Sequence, residues 1–160
     1  MAHRTIQAET DASGAKFAVV AGRFNSFISE KLVDGAIKAL VECGASDDAV
    51  TVVWVPGSYE IPLISKKLAE TGKFDGVVAV GAVIRGETLH FELIANELSR
   101  GLMQVSMETS VPVTFGVITA DTVEQATARA GGEAGNKGAE AAVAAVEMVN
   151  VLRTIKRGEL

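Results

Sequence analysis

Four short, nearly uninterrupted apolar runs rich in β-branched residues, Phe17–Ala21, Val50–Val55, Val77–Ala82 and Val113–Thr119, set the strongest limit on what this chain can fold into. A strand with one face in water alternates apolar and polar residues, so runs without alternation read as strands covered on both faces. Between them lie segments of helical spacing. Ile28, Leu32, Ala36 and Leu40 recur every four residues, and Gly44 stands just past the end in the place of a C-cap. The stretch Ile61–Thr71, closed by Gly72, has the same character, and a third helix is expected over Leu89–Glu108. A fourth is expected to start after Asp121, a good N-cap residue, and the last carries Ala142, Ala145, Val149 and Leu152 on one side. Neighbouring parallel strands need a return segment of helix length. The order βαβαβα, then a strand and two helices, therefore gives an α/β fold: a three-layer α/β/α, flavodoxin-like parallel four-stranded sheet with helices on both faces. The 160 residues fit one domain, in which the polar first 15 are a frayed arm or an edge strand lent to a neighbouring copy.

Composition narrows the partners. With 48% hydrophobic residues the chain can bury a full core and still leave apolar surface, which favours self-association. A net charge of −5 and the absence of any Lys or Arg run argue against nucleic acid and against anionic membrane surfaces. The longest apolar runs stop well short of the roughly 18 residues of a membrane span. Cys43 is the only cysteine and can form no intramolecular disulfide, and the first residues lack a basic stretch followed by an apolar segment, so a cytoplasmic location is expected. Only His3 and His90 are histidines, without a cysteine or histidine partner nearby, so no metal site is expected.

Ligands of open parallel sheets collect at the carboxyl ends of the strands. Those ends read Gly22-Arg23-Phe24-Asn25, Pro56-Gly57-Ser58-Tyr59-Glu60 and Val83-Ile84-Arg85-Gly86-Glu87-Thr88-Leu89-His90. His90 falls about two residues into a helix, where it is either a proton-transfer group or a capping, solvent-facing side chain. His3 lies in the polar arm and is set aside. The backbone of Gly86-Glu87-Thr88 and the Thr88 hydroxyl can hold a phosphate at a helix start. Neither this turn nor Gly135-Asn136-Lys137-Gly138 has the spacing of a nucleotide-binding P-loop, and Asn136 reads foremost as the N-cap of the last helix. Arg129 and Lys137 are the cations nearest that second glycine-rich turn; isolated charges of this kind are usually solvated. Phe24 at a strand end suits stacking on a flat heteroaromatic ring or packing in the core, and Glu60 suits polyol hydroxyls or a helix first turn. Trp54 and Phe74 read as ordinary packing.

Together, five blocks are arranged as in the lumazine synthase family, which the chain resembles from about Lys16 to Val151. They are Gly22–Asn25, Trp54–Pro62, Gly81–Phe91, Pro112–Gly116, and Arg129-Ala130-Gly131 followed by Gly135–Gly138. The resemblance implies riboflavin biosynthesis: condensation of 5-amino-6-(D-ribitylamino)uracil with 3,4-dihydroxy-2-butanone 4-phosphate to 6,7-dimethyl-8-ribityllumazine, phosphate and water, without a cofactor. It implies that Phe24 stacks on the pyrimidine, that Ser58, Tyr59 and Glu60 meet the ribityl chain, and that Ala82, Val83 and Ile84 offer backbone groups to the ring edge. Gly86, Glu87 and Thr88 would cradle the phosphate with Arg129 as charge partner, His90 would transfer protons, and Phe115, Arg129 and Lys137 would arrive from an adjacent subunit. It further implies a homopentamer, a decamer or an icosahedral shell, with riboflavin synthase as a partner. The chain departs from the commonest pattern at Glu87, Leu93 and Glu133, and a carboxylate at 87 leaves phosphate binding to the backbone N–H there. Rival readings are a riboflavin synthase of the same architecture, a non-catalytic shell-forming scaffold, and a flavodoxin-type electron carrier. The last is disfavoured because the first strand leads to Arg-Phe-Asn and not to a Ser/Thr/Gly-rich loop.

Overall fold

The computed structural model describes residues 2–160. Strands β1 (Phe17–Gly22), β2 (Val50–Val55), β3 (Gly76–Ile84) and β4 (Val113–Ala120) lie parallel in the order β2-β1-β3-β4. Helices α1 (Ser26–Glu42), α2 (Ile61–Glu70), α3 (His90–Thr109), α4 (Val123–Ala128) and α5 (Lys137–Lys156) make the outer layers. The chain steps outward from β1 to β2, returns across β1 to β3, and continues to β4. Right-handed crossovers put the helix of the outward step and those of the return steps on opposite faces. Accordingly α1 packs beside α5, and α2 beside α3.

The two central strands explain the missing alternation. Phe17, Val19, Ala21, Val78, Val80 and Ala82 point into the layer of α1 and α5, where Leu32, Leu40, Ala142 and Ala145 meet them. The residues between, Ala18, Val20, Val77, Ala79 and Val83, face Ile61 of α2 and Leu98 and Leu102 of α3. Both parities are buried, so both must be apolar.

The edge strands depart from the expectation. β2 has only one neighbour, its run Val50–Val55 is largely half-exposed, and Trp54, read from the sequence as ordinary packing, is 41% exposed. Phe115 on the opposite edge strand β4 is also exposed. An apolar run reports that a strand tolerates burial, whereas its position in the sheet decides whether burial happens. On α5, Ala142, Ala145 and Val149 are buried, while Leu152, nearer the end of the helix, is partly exposed.

Two caps differ in outcome. Asn136 does cap α5, its Oδ1 accepting the Ala139 N–H at 3.0 Å. At α4 the cap is Thr122 and not Asp121: Thr122 has the extended backbone an N-cap needs, and its Oγ1 accepts the Gln125 N–H at 3.1 Å. Before α5 a small hairpin, β5 (Ala130–Gly132) with β6 (Gly135–Asn136), had no sequence signature because glycines carry it. Residues 2–16 hold neither helix nor strand, yet Asn150 Nδ2 donates to the carbonyls of Glu9 and Asp11 at 2.9 Å each, and Ala12 and Ala15 are buried.

Candidate active site

Because the chain leaves β1 toward β2 but leaves β3 toward β4, the carboxyl ends of β1 and β3 diverge and leave a crevice between their loops. A cleft of about 770 Å³ opens there. Two glycines let the loop after β2 settle onto it. A Cβ at Gly22 would stand 3.1 Å from the Gly57 carbonyl carbon, and one at Gly81 would stand 2.9 Å from Ser58 Oγ. The loop is further tied by Arg23 N–H to Val55 O at 2.8 Å and Phe24 N–H to Pro56 O at 3.1 Å. Ser58 is thereby buried, while Tyr59 and Glu60 stay exposed at the rim before α2.

Phe24 is 73% exposed, and its ring lines this cleft. Core packing is thus ruled out for it; a large apolar ring in water at a cleft wall has room for a flat partner. Opposite it run Ala82, Val83 and Ile84, and beyond them Gly86, Thr88 and His90. His90 is the first residue of α3, earlier in the helix than expected, and its N–H donates to Thr88 Oγ1 at 3.3 Å. Gly86 and Thr88 line the cleft whereas the Glu87 side chain does not, which leaves any anion to the backbone N–H groups at the helix start.

Sequence reasoning assigned no role to Asn25, although it lines the same cleft. Its backbone is left-handed (φ 61°, ψ 44°), and its Nδ2 donates to Ala82 O at 3.1 Å, tying the Phe24 loop to the β3 wall. An Asn directly ahead of a helix and after Gly-Arg-Phe was the available signal, since Asn tolerates this region better than most residues.

Arg85 stands between the β3 wall and the Gly86–Thr88 turn. Its Nε donates to Asp121 Oδ1 at 2.7 Å, Nη1 binds Glu92 Oε1, and the guanidinium lies 4.4 Å from the centre of the Phe91 ring. Glu92's own backbone N–H and then Arg85 hold its carboxyl below the usual range. A depressed carboxyl stabilises the fold above its unfolded-state pKa, and that contribution disappears as pH falls through the folded-state value. Glu92→Gln should therefore melt below wild type at pH 7, with the gap closing as pH drops below roughly 4. Parallel melting curves across that range would show that Glu92 contributes nothing by its charge.

The remaining sequence candidates lie elsewhere on the chain. Phe115, Arg129 and Lys137 line a separate depression of about 330 Å³ at the β4 edge. Arg129 ends α4 with Nη1 on Gln125 O at 3.0 Å; Lys137 opens α5, its N–H on Arg129 O at 2.9 Å and its Nζ 2.9 Å from Glu140 Oε2. Sequence candidates thus form two groups, ten that line the first cleft with Glu87 beside it, and these three outside it.

The sequence model of the 6,7-dimethyl-8-ribityllumazine synthase family matches residues 14–153. The chain belongs to the lumazine synthase family. Among its relatives, a 6,7-dimethyl-8-ribityllumazine synthase of Desulfotalea psychrophila is 55% identical over 151 residues, covering 94% of this chain and 97% of that protein. One of Edwardsiella ictaluri is 55% identical over 154 residues, covering 96% and 99%. The match spans every strand and every loop of the cleft, so the lumazine synthase fold is present whole, and neither riboflavin synthase nor scaffold is the favoured reading.

Proposed function

We propose that the cleft joins 5-amino-6-(D-ribitylamino)uracil to 3,4-dihydroxy-2-butanone 4-phosphate to make 6,7-dimethyl-8-ribityllumazine, a transferase reaction of riboflavin biosynthesis. The observation that carries this reading is the convergence, from three separate strand ends, of an exposed ring (Phe24), a polar loop (Ser58, Tyr59, Glu60), the backbone stretch Ala82, Val83 and Ile84, the Gly86–Thr88 turn and His90.

The chemistry asks for little more. The primary amine attacks the ketone, and loss of water leaves an imine. Removal of the proton from the adjacent carbon lets phosphate leave from the next one, and the resulting enol returns to a ketone. The ribityl-bearing nitrogen closes the ring there with loss of a second water. Both reactants are already reactive, so holding them in register supplies most of the acceleration. His90, at the positive end of α3, moves the protons, and the Gly86–Thr88 backbone holds the departing phosphate.

Arg129 fits as the charge partner of that phosphate, with Phe115 and Lys137 beside it, when a neighbouring copy brings its β4 edge to the cleft. The separation of the two groups on one chain supports this arrangement, since each is half of a site. The same reading makes the protein a cytoplasmic homo-oligomer, a pentamer or a multiple of pentamers up to an icosahedral shell, able to pass its product to riboflavin synthase.

Mixing the protein with both substrates and following lumazine absorbance tests the reading, and a rate equal to the uncatalysed mixture overturns it. His90→Ala is expected to lower turnover about tenfold to a hundredfold, modest for acid–base catalysis because the reactants condense unaided. Wild-type turnover in that variant would assign the proton transfers to water.

A further inference from the structure

We propose that Arg85 is the positioning residue that holds the phosphate turn and His90 in mutual register without touching either substrate, an inference that deepens the reading above and rests on it. Ile84 and Gly86 both line the cleft, yet Arg85 between them does not: its side chain turns away across the end of β4. Its backbone N–H donates to Ala120 O at 2.8 Å and so prolongs the β3–β4 pairing by one residue. From that fixed point the guanidinium reaches three places at once: Asp121 at the β4–α4 junction, Glu92 in the first turn of α3, and the face of the neighbouring Phe91 ring. One side chain thus ties down both ends of the turn 86–89, the strand behind it and the helix ahead of it.

The turn has little else to hold it. Leu89, in the N-cap place of α3, makes no side-chain cap bond, and a Cβ added at Gly86 would meet nothing within 4 Å. Thr88 supplies a single 3.3 Å contact to the His90 N–H. The direction in which the Gly86–Thr88 N–H groups point, and the place of His90 at the helix start, therefore depend on the Arg85 tie.

Arg85 is unsuited to binding phosphate itself. Its charge is already engaged by two carboxylates, and a dianion brought to the guanidinium would meet Glu92 and Asp121 as well. Lysine could not replace it, because a single ammonium lacks the planar fork that serves two carboxylates and stacks on a ring together.

Steady-state kinetics on the full chain with each substrate varied in turn separates the possibilities. Arg85→Gln should raise KM for the phosphorylated ketone about tenfold and lower kcat about tenfold, since small misplacement of reacting groups is costly. KM for the ribitylaminouracil should stay within about twofold, because Phe24 and Ser58–Glu60 are carried by other loops. Arg85→Lys should recover only part of the loss. Asp121→Asn and Glu92→Gln each remove one arm of the tie, and should give the same split at roughly threefold, which decides the matter even where Arg85→Gln does not fold. A ketone KM unchanged in all variants, or both KM values rising equally, overturns the role of Arg85 while wild-type synthesis leaves the function standing. Absence of synthesis by the wild type overturns the functional reading, and this role with it.

Discussion

Gly138→Ala is expected to lower the stability of the fold by about 3 kcal/mol, although alanine is the better helix former by about 1 kcal/mol. Gly138 lies in the first turn of α5, buried against α1, and a Cβ there would stand 2.1 Å from Leu32 O and 2.8 Å from its carbonyl carbon. Both are backbone atoms, so no rotamer change relieves the clash and the helices must part. The opposite side of the crossing is as tight: a Cβ on Gly35 of α1 would come within 2.4 Å of the Asn136 side chain. Asn136 Nδ2 in turn donates to Lys31 O at 3.0 Å, which clamps the start of α5 to α1. For a chain of this size the loss corresponds to a melting temperature lower by about 6–12 °C, measured at matched protein concentration. Gly72→Ala is the comparison: nothing lies within 4 Å of its Cβ, but φ is +70°, so its cost should stay near about 1 kcal/mol. A Gly138→Ala melting point within about 2 °C of wild type would mean that the two helices separate freely. On the proposed function the consequence reaches the site through Lys137 and Arg129, which are linked beside this clamp by the Lys137 N–H to Arg129 O bond.

The fold was legible where a residue's neighbours in sequence predict its neighbours in space. The runs of β1 and β3 are apolar at both parities because both faces are covered, and Ile28, Leu32, Ala36 and Leu40 face the sheet as their spacing requires. The same logic fails for β2. Val50–Val55 reads like β1, and only the strand order, a property of the whole chain, makes it an edge and leaves Trp54 in solvent. At the cleft, glycines and Phe24 stand at strand ends where the topology collects ligands, so that half was readable. Arg85 was visible only as a letter in a motif. Its partner Asp121 is 36 residues away, and the two meet only because β3 and β4 pair as far as Ile84 with Ala120. The sequence reading made Asp121 a helix cap for lack of that register. The division of Phe115, Arg129 and Lys137 from the rest could be expected from the resemblance alone, since nothing in their spacing separates them from residues of the first cleft.

That division makes a second large effect testable. A variant carrying Phe24→Ala and His90→Ala keeps its Arg129 depression but has a ruined cleft; one carrying Arg129→Ala and Lys137→Ala has the reverse. Each alone is expected to fall below roughly 5% of wild-type kcat/KM, since stacking, proton transfer and the charge-assisted phosphate contact each contribute on the order of tenfold or more. In a ring where every site takes its cleft from one copy and its Arg129 edge from the next, the two variants repair each other. Random co-assembly of equal amounts gives half the clefts intact and half the edges intact, so about a quarter of the sites regain a full complement. Activity of the co-refolded mixture, with co-assembly verified by two different affinity tags, should therefore rise to about a quarter of wild type, far above either parent. Mixing the two after each has assembled alone should give no gain until subunits exchange. If the cleft and the Arg129 edge served one copy by themselves, verified mixed assemblies would show only the average of the two parents, and the shared pocket would be refuted whatever the size of the assembly.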